Sequence, residues 1–173
     1  MIQLRSGTRQ TEQWDVELEE LLKLVLAECR LRTPIPELIL VDGKFTLTCD
    51  RERLQTVFEH LVQNAQEATG KGGHVTVRLL SSHGSAVVEI EDDGIGMNEH
   101  FVQHRLFKPF DSTKGLTGMG IGAFESREFI RSLGGNINVQ STPGRGTVFR
   151  VSIPCVEESG MGHTNRQLKG NTQ

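Results

Sequence analysis

The feature that most constrains this chain is a dense run of glycines ahead of a segment with helical periodicity: Gly115, Gly118, Gly120 and Gly122. Glycine allows the backbone to bend sharply and to lie close to a ligand. Glycines at this spacing leave backbone N–H groups facing outward, and the dipole of the following helix attracts an anion. The run therefore predicts a phosphate site. It does not match the P-loop pattern, and the residues before it read as loop rather than strand, which argues against a Rossmann dinucleotide site.

Length, charge and cysteine content narrow the class of protein. The chain has 173 residues, enough for one domain of ordinary size. Its formal net charge is -3, whereas a general nucleic-acid binder carries a basic excess. No apolar run approaches the roughly 18 residues of a membrane span, and the three cysteines are far apart with no CxxC pair. We expect a cytoplasmic domain with reduced thiols, no zinc site, and no contact of its own with nucleic acid or membrane.

Hydrophobic periodicity predicts an α+β domain. Apolar residues at helical spacing indicate helices over residues 15–29, 51–69, 98–104 and 119–133. Short apolar or alternating runs indicate three strand pairs: 37–41 with 44–49 around an Asp42-Gly43 turn, 74–81 with 86–91, and 136–141 with 147–153. This order favours a two-layer α/β sandwich, in which the helices pack on one face of one mixed sheet.

Polar sequence flanks the predicted domain on both sides. Residues 1–13 read as the end of an upstream helix and a linker, and residues 157–173 read as a disordered tail. The domain itself is therefore expected over residues 14–156.

Two further motifs place polar side chains where ligands commonly bind. His60 and Asn64 share one face of the predicted helix 51–69, and an amide oxygen suits Mg²⁺, which takes few protein ligands beside phosphates and water. Asp92 directly follows the predicted strand 86–91 and comes just before Gly94 and Gly96, so its carboxylate can accept a hydrogen bond while the backbone lies close to a ligand. The alternatives are a polar helix face for the first motif and a simple turn for the second.

The loop before the glycine run is rich in cations. Arg105, Lys108 and Lys114 would neutralise the charge of a triphosphate at the glycines. Phe107 and Phe110 would anchor the loop to the domain. The alternative is a solvated basic loop without a ligand.

The order of these motifs resembles a known family. An Asn on a helix, Asp-x-Gly-x-Gly, a Phe-x-x-Phe loop, Gly-x-Gly-x-Gly, and Gly144-Arg145-Gly146-Thr147 before the last strand follow one another within residues 45–155. This arrangement is similar to the ATP-binding domain of the GHKL superfamily, and within it to the catalytic domain of bacterial sensor histidine kinases. The stretch 108–122 resembles the sensor kinases of the PEP-CTERM/exosortase system. The fold implied is the Bergerat sandwich, which agrees with the predicted element order.

The resemblance implies a role for each matched residue. Asn64 would hold Mg²⁺ between the phosphates of ATP, and Asp92 would accept a hydrogen bond from the adenine amino group, with Thr147 near the same ring. Residues 105–118 would form a mobile ATP lid. The candidate catalytic residues are His60, Asn64 and Lys114. The candidate nucleotide-binding residues are Asn64, Glu67, Asp92, Gly94, Gly96, Lys108, Lys114, Gly118, Met119, Gly120, Ile121, Gly122 and Thr147.

Two features depart from the family pattern. His60 occupies the first position of the helical Asn motif, where ATPase relatives carry a general-base Glu, and the adjacent Glu59 faces about 100° away around the helix, so efficient ATP hydrolysis is not expected. None of the six histidines lies in the first helix or precedes Glu or Asp, as the phosphoacceptor of the family does. We therefore expect the phosphoacceptor and dimerisation helices in another part of a longer, membrane-linked kinase that passes phosphate to a response regulator.

Three functions fit these observations. The first is a histidine kinase domain that binds Mg²⁺-ATP and donates its γ-phosphoryl group to a histidine on a separate segment. The second is a GHKL serine kinase or a nucleotide-driven switch. The third is a degenerate domain that serves only as a docking surface, against which the glycines, Asn64 and Asp92 count.

Overall fold

The computed structural model of the chain describes residues 13–41, 43–109 and 122–157. The elements follow in the order β1 (Trp14–Glu17), α1 (Leu18–Cys29), β2 (Glu37–Leu40), β3 (Phe45–Cys49), α2 (Arg51–Ala68), β4 (Val75–Ser82), β5 (Ser85–Asp92), α3 (Glu99–His104), α4 (Gly122–Ser132), β6 (Asn136–Thr142), β7 (Gly146–Pro154) and β8 (Val156–Glu157). The predicted α+β class is confirmed.

The strands of the described residues form two sheets. The larger is a five-stranded mixed sheet in the order β2-β4-β5-β7-β6, in which β2 runs parallel to β4 and the other pairs are antiparallel. The predicted mixed sheet is thus present, and so are the hairpins β4–β5 and β6–β7. A second, three-stranded antiparallel sheet in the order β1-β3-β8 was not expected.

The expected pairing of β2 with β3 is wrong, although both strands form. β2 joins β4 at one edge of the large sheet, whereas β3 pairs with β1 and β8 in the small sheet. The inward residues of β3, Phe45, Leu47 and Cys49, are buried in the core beside α1. β3 therefore packs on the core as part of a different layer. Between β2 and β3 the chain passes from the large sheet to the small one. Asp42 lies outside the described residues.

The predicted helix over 15–29 begins later than expected. Residues 14–17 form β1, which pairs with β3 so that Val16 lies opposite Leu47. Both of these side chains are buried, and a strand edge available for pairing outweighs the local helical spacing. The predicted start of α2 is confirmed, because the carboxylate of its N-cap Asp50 accepts a hydrogen bond of 3.0 Å from the N–H of Arg53.

One face of the large sheet carries the core. Inward positions alternate along β4, β5, β6 and β7. α2 lies against β4, β5 and β7, while α4 contacts α2 and β6. Buried side chains such as Phe58, Leu61 and Val88 join these layers, and each contributes about 1.5–3 kcal/mol of transfer free energy. The outward face carries charged pairs, including Arg78 with Glu91 and Arg150 with Glu89. Helices on one face of the sheet match the prediction.

The predicted domain boundaries, at residues 14 and 156, stay predictions. The structure adds one observation near the second boundary. Glu157, assigned to the tail from the sequence, lies in β8 opposite Phe45. Residues 1–12 and 158–173 lie outside the described residues, as do residues 119–121 of the predicted last helix.

Candidate functional site

The loop after β5 lies directly against the C-terminal end of α2. The N–H of Ile95 donates to the carbonyl of Ala68 over 3.0 Å. Any side chain at Gly94 would collide with that carbonyl, so glycine is required for this close approach. Asn64 is half-buried one helical turn before Ala68, on the same face of α2. The structure therefore places the loop that follows Asp92 about one helical turn from Asn64 along α2.

A row of three polar side chains crosses the inner face of the sheet at this end. Asp92 on β5 lies opposite Thr147 on β7, and Thr147 lies opposite Ser141 on β6. Asp92 and Thr147 are only 5% and 4% exposed. The N–H of Gly94 donates to Oδ1 of Asp92 over 2.9 Å, and the N–H of Thr147 donates to the same carboxylate. The sheet thus fixes a buried carboxylate beside a hydroxyl group.

A second loop, between β6 and β7, closes the row from the other side. Gly146 has a φ of +100°, and a side chain there would collide with the carbonyl of Asp92, so this position requires glycine. The N–H of Gly144 donates to the carbonyl of Ile95 over 2.8 Å, and Gly96 lies against Thr142. The glycines after Asp92 and those before Thr147 therefore meet each other.

The two adjacent aspartates at the end of β5 have opposite environments. Burial raises the pKa of the Asp92 carboxyl above its ordinary value, and the backbone N–H groups of Gly94 and Thr147 partly oppose that shift. The exposed Asp93 instead accepts hydrogen bonds from the backbone and ring of His74, which lower its pKa. Asp92 is thus the carboxylate held inside the site, and Asp93 belongs to a separate surface contact.

His60 lies where α2 meets the first turn of α4. A Cβ atom at Gly122 would be 3.0 Å from Nδ1 of the His60 ring, so these two predicted site residues are neighbours. The preceding Glu59 faces α1 instead. Its carboxylate accepts a hydrogen bond of 2.7 Å from Gln55. A side-chain hydrogen bond also joins it to Glu28 on α1, and this bond raises the pKa of Glu28.

The segment after α3 is attached to α4. The guanidinium of Arg127 lies 4.6 Å from the centre of the Phe107 ring, a cation–π contact, and Phe107 also packs against the core. Lys108, the next residue, is exposed. Phe107 therefore holds the described start of the predicted lid, and Lys108 lies on its surface.

Several predicted site residues are not joined to this group. Lys114, Gly118, Met119, Gly120 and Ile121 lie outside the described residues, as does Phe110, and their roles stay predictions. The carboxylate of Glu67 lies 3.4 Å from Arg32, on the side of α2 where Gln66 donates to the carbonyl of Pro34 over 2.8 Å. The structure thus pairs Glu67 with the segment after α1, and its role in binding also stays a prediction.

Sequence reasoning missed Ser141. Its hydroxyl contacts the Thr147 hydroxyl at 2.8 Å and accepts a hydrogen bond of 2.7 Å from the N–H of Met97. A signal was present in the alternation of β6, because Ile137, Val139 and Ser141 occupy successive inward positions. A polar residue at the last inward position, in register with Thr147, marks the end of the core and the start of the site.

The side chains of the described residues suit a metal ion that takes most of its ligands from a bound substrate and water. No group of three or more His, Cys, Asp or Glu side chains that could hold a metal occurs in residues 13–41, 43–109 and 122–157. The amide of Asn64, together with phosphates and water, fits Mg²⁺, which is bound by few protein ligands.

In the same part of the chain, no helix combines the length and hydrophobicity that crossing a membrane requires.

Comparisons with known proteins give a matching family model and similar kinases. The family model described as "Histidine kinase-, DNA gyrase B-, and HSP90-like ATPase" matches residues 49–157. Sporulation kinase E of Bacillus subtilis is 32% identical over 139 residues, which is 79% of this chain and 18% of that protein. The chain thus spans less than a fifth of the length of this curated relative.

Solved structures show the same fold. The catalytic domain of the histidine kinase ThkA, in a nucleotide-free form, is 28% identical with a TM-score of 0.71, and the match covers 84% of this chain and 97% of that one. The mycobacterial sensor histidine kinase MprB has a TM-score of 0.74 at 23% identity, over 84% of this chain and 99% of that one. The second likeness concerns the fold alone, and both cover almost the whole of the compared structure.

Proposed function

Because this chain belongs to the family of histidine kinase-, DNA gyrase B- and HSP90-like ATPases, we propose that it is the catalytic domain of a sensor histidine kinase. It binds Mg²⁺-ATP and donates the γ-phosphoryl group to a histidine on a separate dimerisation and phosphoacceptor segment. The observation that carries the proposal is the buried carboxylate of Asp92 at the junction of two glycine loops. The relatives that support the choice of reaction are named as kinases.

The adenine base would lie along the row of Asp92 and Thr147. An ionised carboxylate only accepts hydrogen bonds, so Asp92 matches the exocyclic amino group of adenine. Gly94 and Gly146 let their loops pack directly against the backbone of Ala68 and Asp92, which holds the surroundings of the row in place. The residues proposed for the base end, Asp92 and Thr147, lie in paired strands of the sheet.

The phosphates would extend from the base toward Asn64 and the first turn of α4. Asn64 would hold Mg²⁺, which when bound neutralises phosphate charge. The backbone at Gly122 begins α4, and the N-terminus of a helix favours an anion. Lys108, with Lys114 and the glycines from Gly118 to Gly122, would complete the phosphate contacts. His60, packed against Gly122, would keep the start of α4 in place beside α2.

Transfer itself needs positioning and charge stabilisation more than acid–base chemistry. A nitrogen of the accepting imidazole attacks the γ-phosphorus, the bond to the bridging oxygen breaks, and ADP leaves with that electron pair. The nucleophile comes from the other segment, so this domain needs no water-activating carboxylate at position 60. Glu59, which bonds to Glu28 on α1, would not supply one, and slow ATP hydrolysis by the isolated domain follows.

The remaining parts of the system belong to the longer protein that this domain would serve. The matched relative is more than five times the length of the matched segment, which supports an arrangement with further domains in one chain. The partners would be the phosphoacceptor domain of the same kinase and a response regulator. The domain would act in the cytoplasm as the catalytic portion of a membrane-bound kinase.

The test supplies the helical phosphoacceptor segment of the parent kinase in trans with Mg²⁺ and radiolabelled ATP. We expect label on a histidine of that segment, stable in alkali and lost in acid, because a phosphoramidate hydrolyses when its nitrogen is protonated. Asp92→Asn should slow transfer at subsaturating ATP, while Asp93→Asn should not. Label on a serine, or on this chain by itself, would contradict the proposal and favour the serine-kinase alternative.

A further inference from the structure

The hydrogen bonds around Ser141 determine what the Thr147 hydroxyl can offer to a ligand. We infer that Ser141 is a positioning residue that directs the Thr147 hydrogen away from the ligand, so that the site selects a purine with a 6-amino group over one with a 6-keto group. The inference rests on the proposed nucleotide site and adds the residue that sets its base selectivity.

Three contacts meet at the Ser141 oxygen. The N–H of Met97 donates to it over 2.7 Å. The carbonyl of Gly146 lies 3.1 Å away and the hydroxyl oxygen of Thr147 lies 2.8 Å away. Ser141 is half-buried and Thr147 is buried, so water has little access to replace these contacts.

Only one assignment of the hydrogens makes all three contacts hydrogen bonds. A serine hydroxyl has one hydrogen to donate and two lone pairs to accept with. The Gly146 carbonyl can only accept, so it takes the Ser141 hydrogen. The Met97 N–H fills one lone pair of Ser141, and the Thr147 hydroxyl must therefore donate to the other. With its hydrogen committed to Ser141, the Thr147 oxygen can only accept hydrogen bonds from anything else.

The ligand-facing edge of the row then consists of acceptors alone. The Asp92 carboxylate lies beside Thr147 in register, and in its ionised form it also only accepts. A 6-amino group donates to such an edge, whereas a 6-keto oxygen would face two acceptors with no hydrogen between them. Sites built to pair with a donor reject the analogue that lacks it, because their buried groups are left unpaired.

The experiment compares ADP with inosine diphosphate, which differs at the 6-position of the base, by calorimetric titration of the full chain. The wild-type chain should prefer ADP. In Ser141→Ala the Thr147 hydroxyl regains a free hydrogen that can pair with the 6-keto oxygen. The ADP preference should therefore fall roughly fivefold to tenfold, the scale of one hydrogen bond.

Control variants separate hydrogen-bond direction from structural loosening. Ser141→Thr keeps a hydroxyl and should retain the wild-type preference. Ser152→Ala removes a hydroxyl from the outward side of β7, away from the row, and should also retain it. A merely structural role would weaken both nucleotides together and leave their ratio unchanged.

The possible outcomes distinguish the role of Ser141 from the presence of the nucleotide site. A wild-type chain that binds ADP but shows no preference over inosine diphosphate, or an unchanged ratio in Ser141→Ala, would overturn the role of Ser141 and leave the nucleotide site standing. A wild-type chain that binds no ADP would overturn the proposed function and this inference with it.

Discussion

Strands β5, β7 and β6 present two different rows of side chains on the same inner face, four residues apart. One row consists of Val88, Val151 and Ile137, all at most 4% exposed and packed in the core. The other consists of Asp92, Thr147 and Ser141. The strands, the register and the face are the same, so the difference lies in the side chains and in what covers them.

The difference shows how one sheet serves both stability and binding. The apolar row lies where helices cover the sheet, and its contribution comes from burial. The polar row lies where two glycine loops replace the helix cover, and the buried Asp92 carboxylate is disfavoured by desolvation. We expect mutations in the first row to change the free energy of unfolding and mutations in the second to change nucleotide affinity.

The largest effect should come from the apolar row. Ile137→Ala removes a buried side chain from β6 and leaves a cavity, which costs about 2–5 kcal/mol of unfolding free energy. ADP affinity, measured well below the melting temperature, should change less than twofold because Ser141 on the same strand is untouched. Urea denaturation and calorimetry check the two parts, and a large loss of affinity with little loss of stability would contradict the division.

A smaller effect in free energy should come from the polar row. Asp92→Asn removes the acceptor for the amino group and should weaken ADP binding about tenfold, or about 1.4 kcal/mol. ADP at 100 times the wild-type Kd should stabilise the wild-type fold by about 2.7 kcal/mol, and Asp92→Asn by only about 1.4 kcal/mol.

Asp93→Asn is the matched control for that measurement, because it changes the neighbouring carboxylate that contacts His74 instead. Its stabilisation by ADP, followed as a shift of the thermal melting curve, should equal that of the wild type. Equal shifts in all three proteins would argue against the assignment of Asp92 to the base.

The smallest effect concerns pH, without ligand. The pKa of Asp92 is raised in the folded state, so its contribution to stability falls as pH rises from its ordinary value of 3.8 through the folded value. The pKa of Asp93 is lowered, so its contribution is present above 3.8 and is lost as pH falls through the folded value.

Unfolding measured in urea between pH 3 and pH 7 distinguishes the two aspartates. Relative to the wild type, Asp92→Asn should gain stability as pH rises, and Asp93→Asn should lose it. Parallel pH profiles for the two variants would show that burial does not separate the two carboxyl groups.

The sequence predicted the local elements of the site well. The cap at Asp50, the long helix with His60 and Asn64, the strand that leads to Asp92 and the glycines after it all follow from short-range signals. These signals are local because helix caps, hydrophobic periodicity and glycine turns depend on residues only a few positions apart. The ordered motifs then indicated the family, and the family model confirmed it.

These local signals could not predict which strands pair when their residues are distant in the sequence. The sequence alone indicated most of the elements, the carboxylate, the glycines and the type of ligand that they suit. Only the tertiary structure decided that residues 14–17 pair as a strand with β3, that β2 and β3 enter different sheets, and that Ser141 meets Thr147. Strand register and hydrogen-bond direction depend on which distant residues become neighbours, and that choice is made by packing of the whole core rather than by any local pattern.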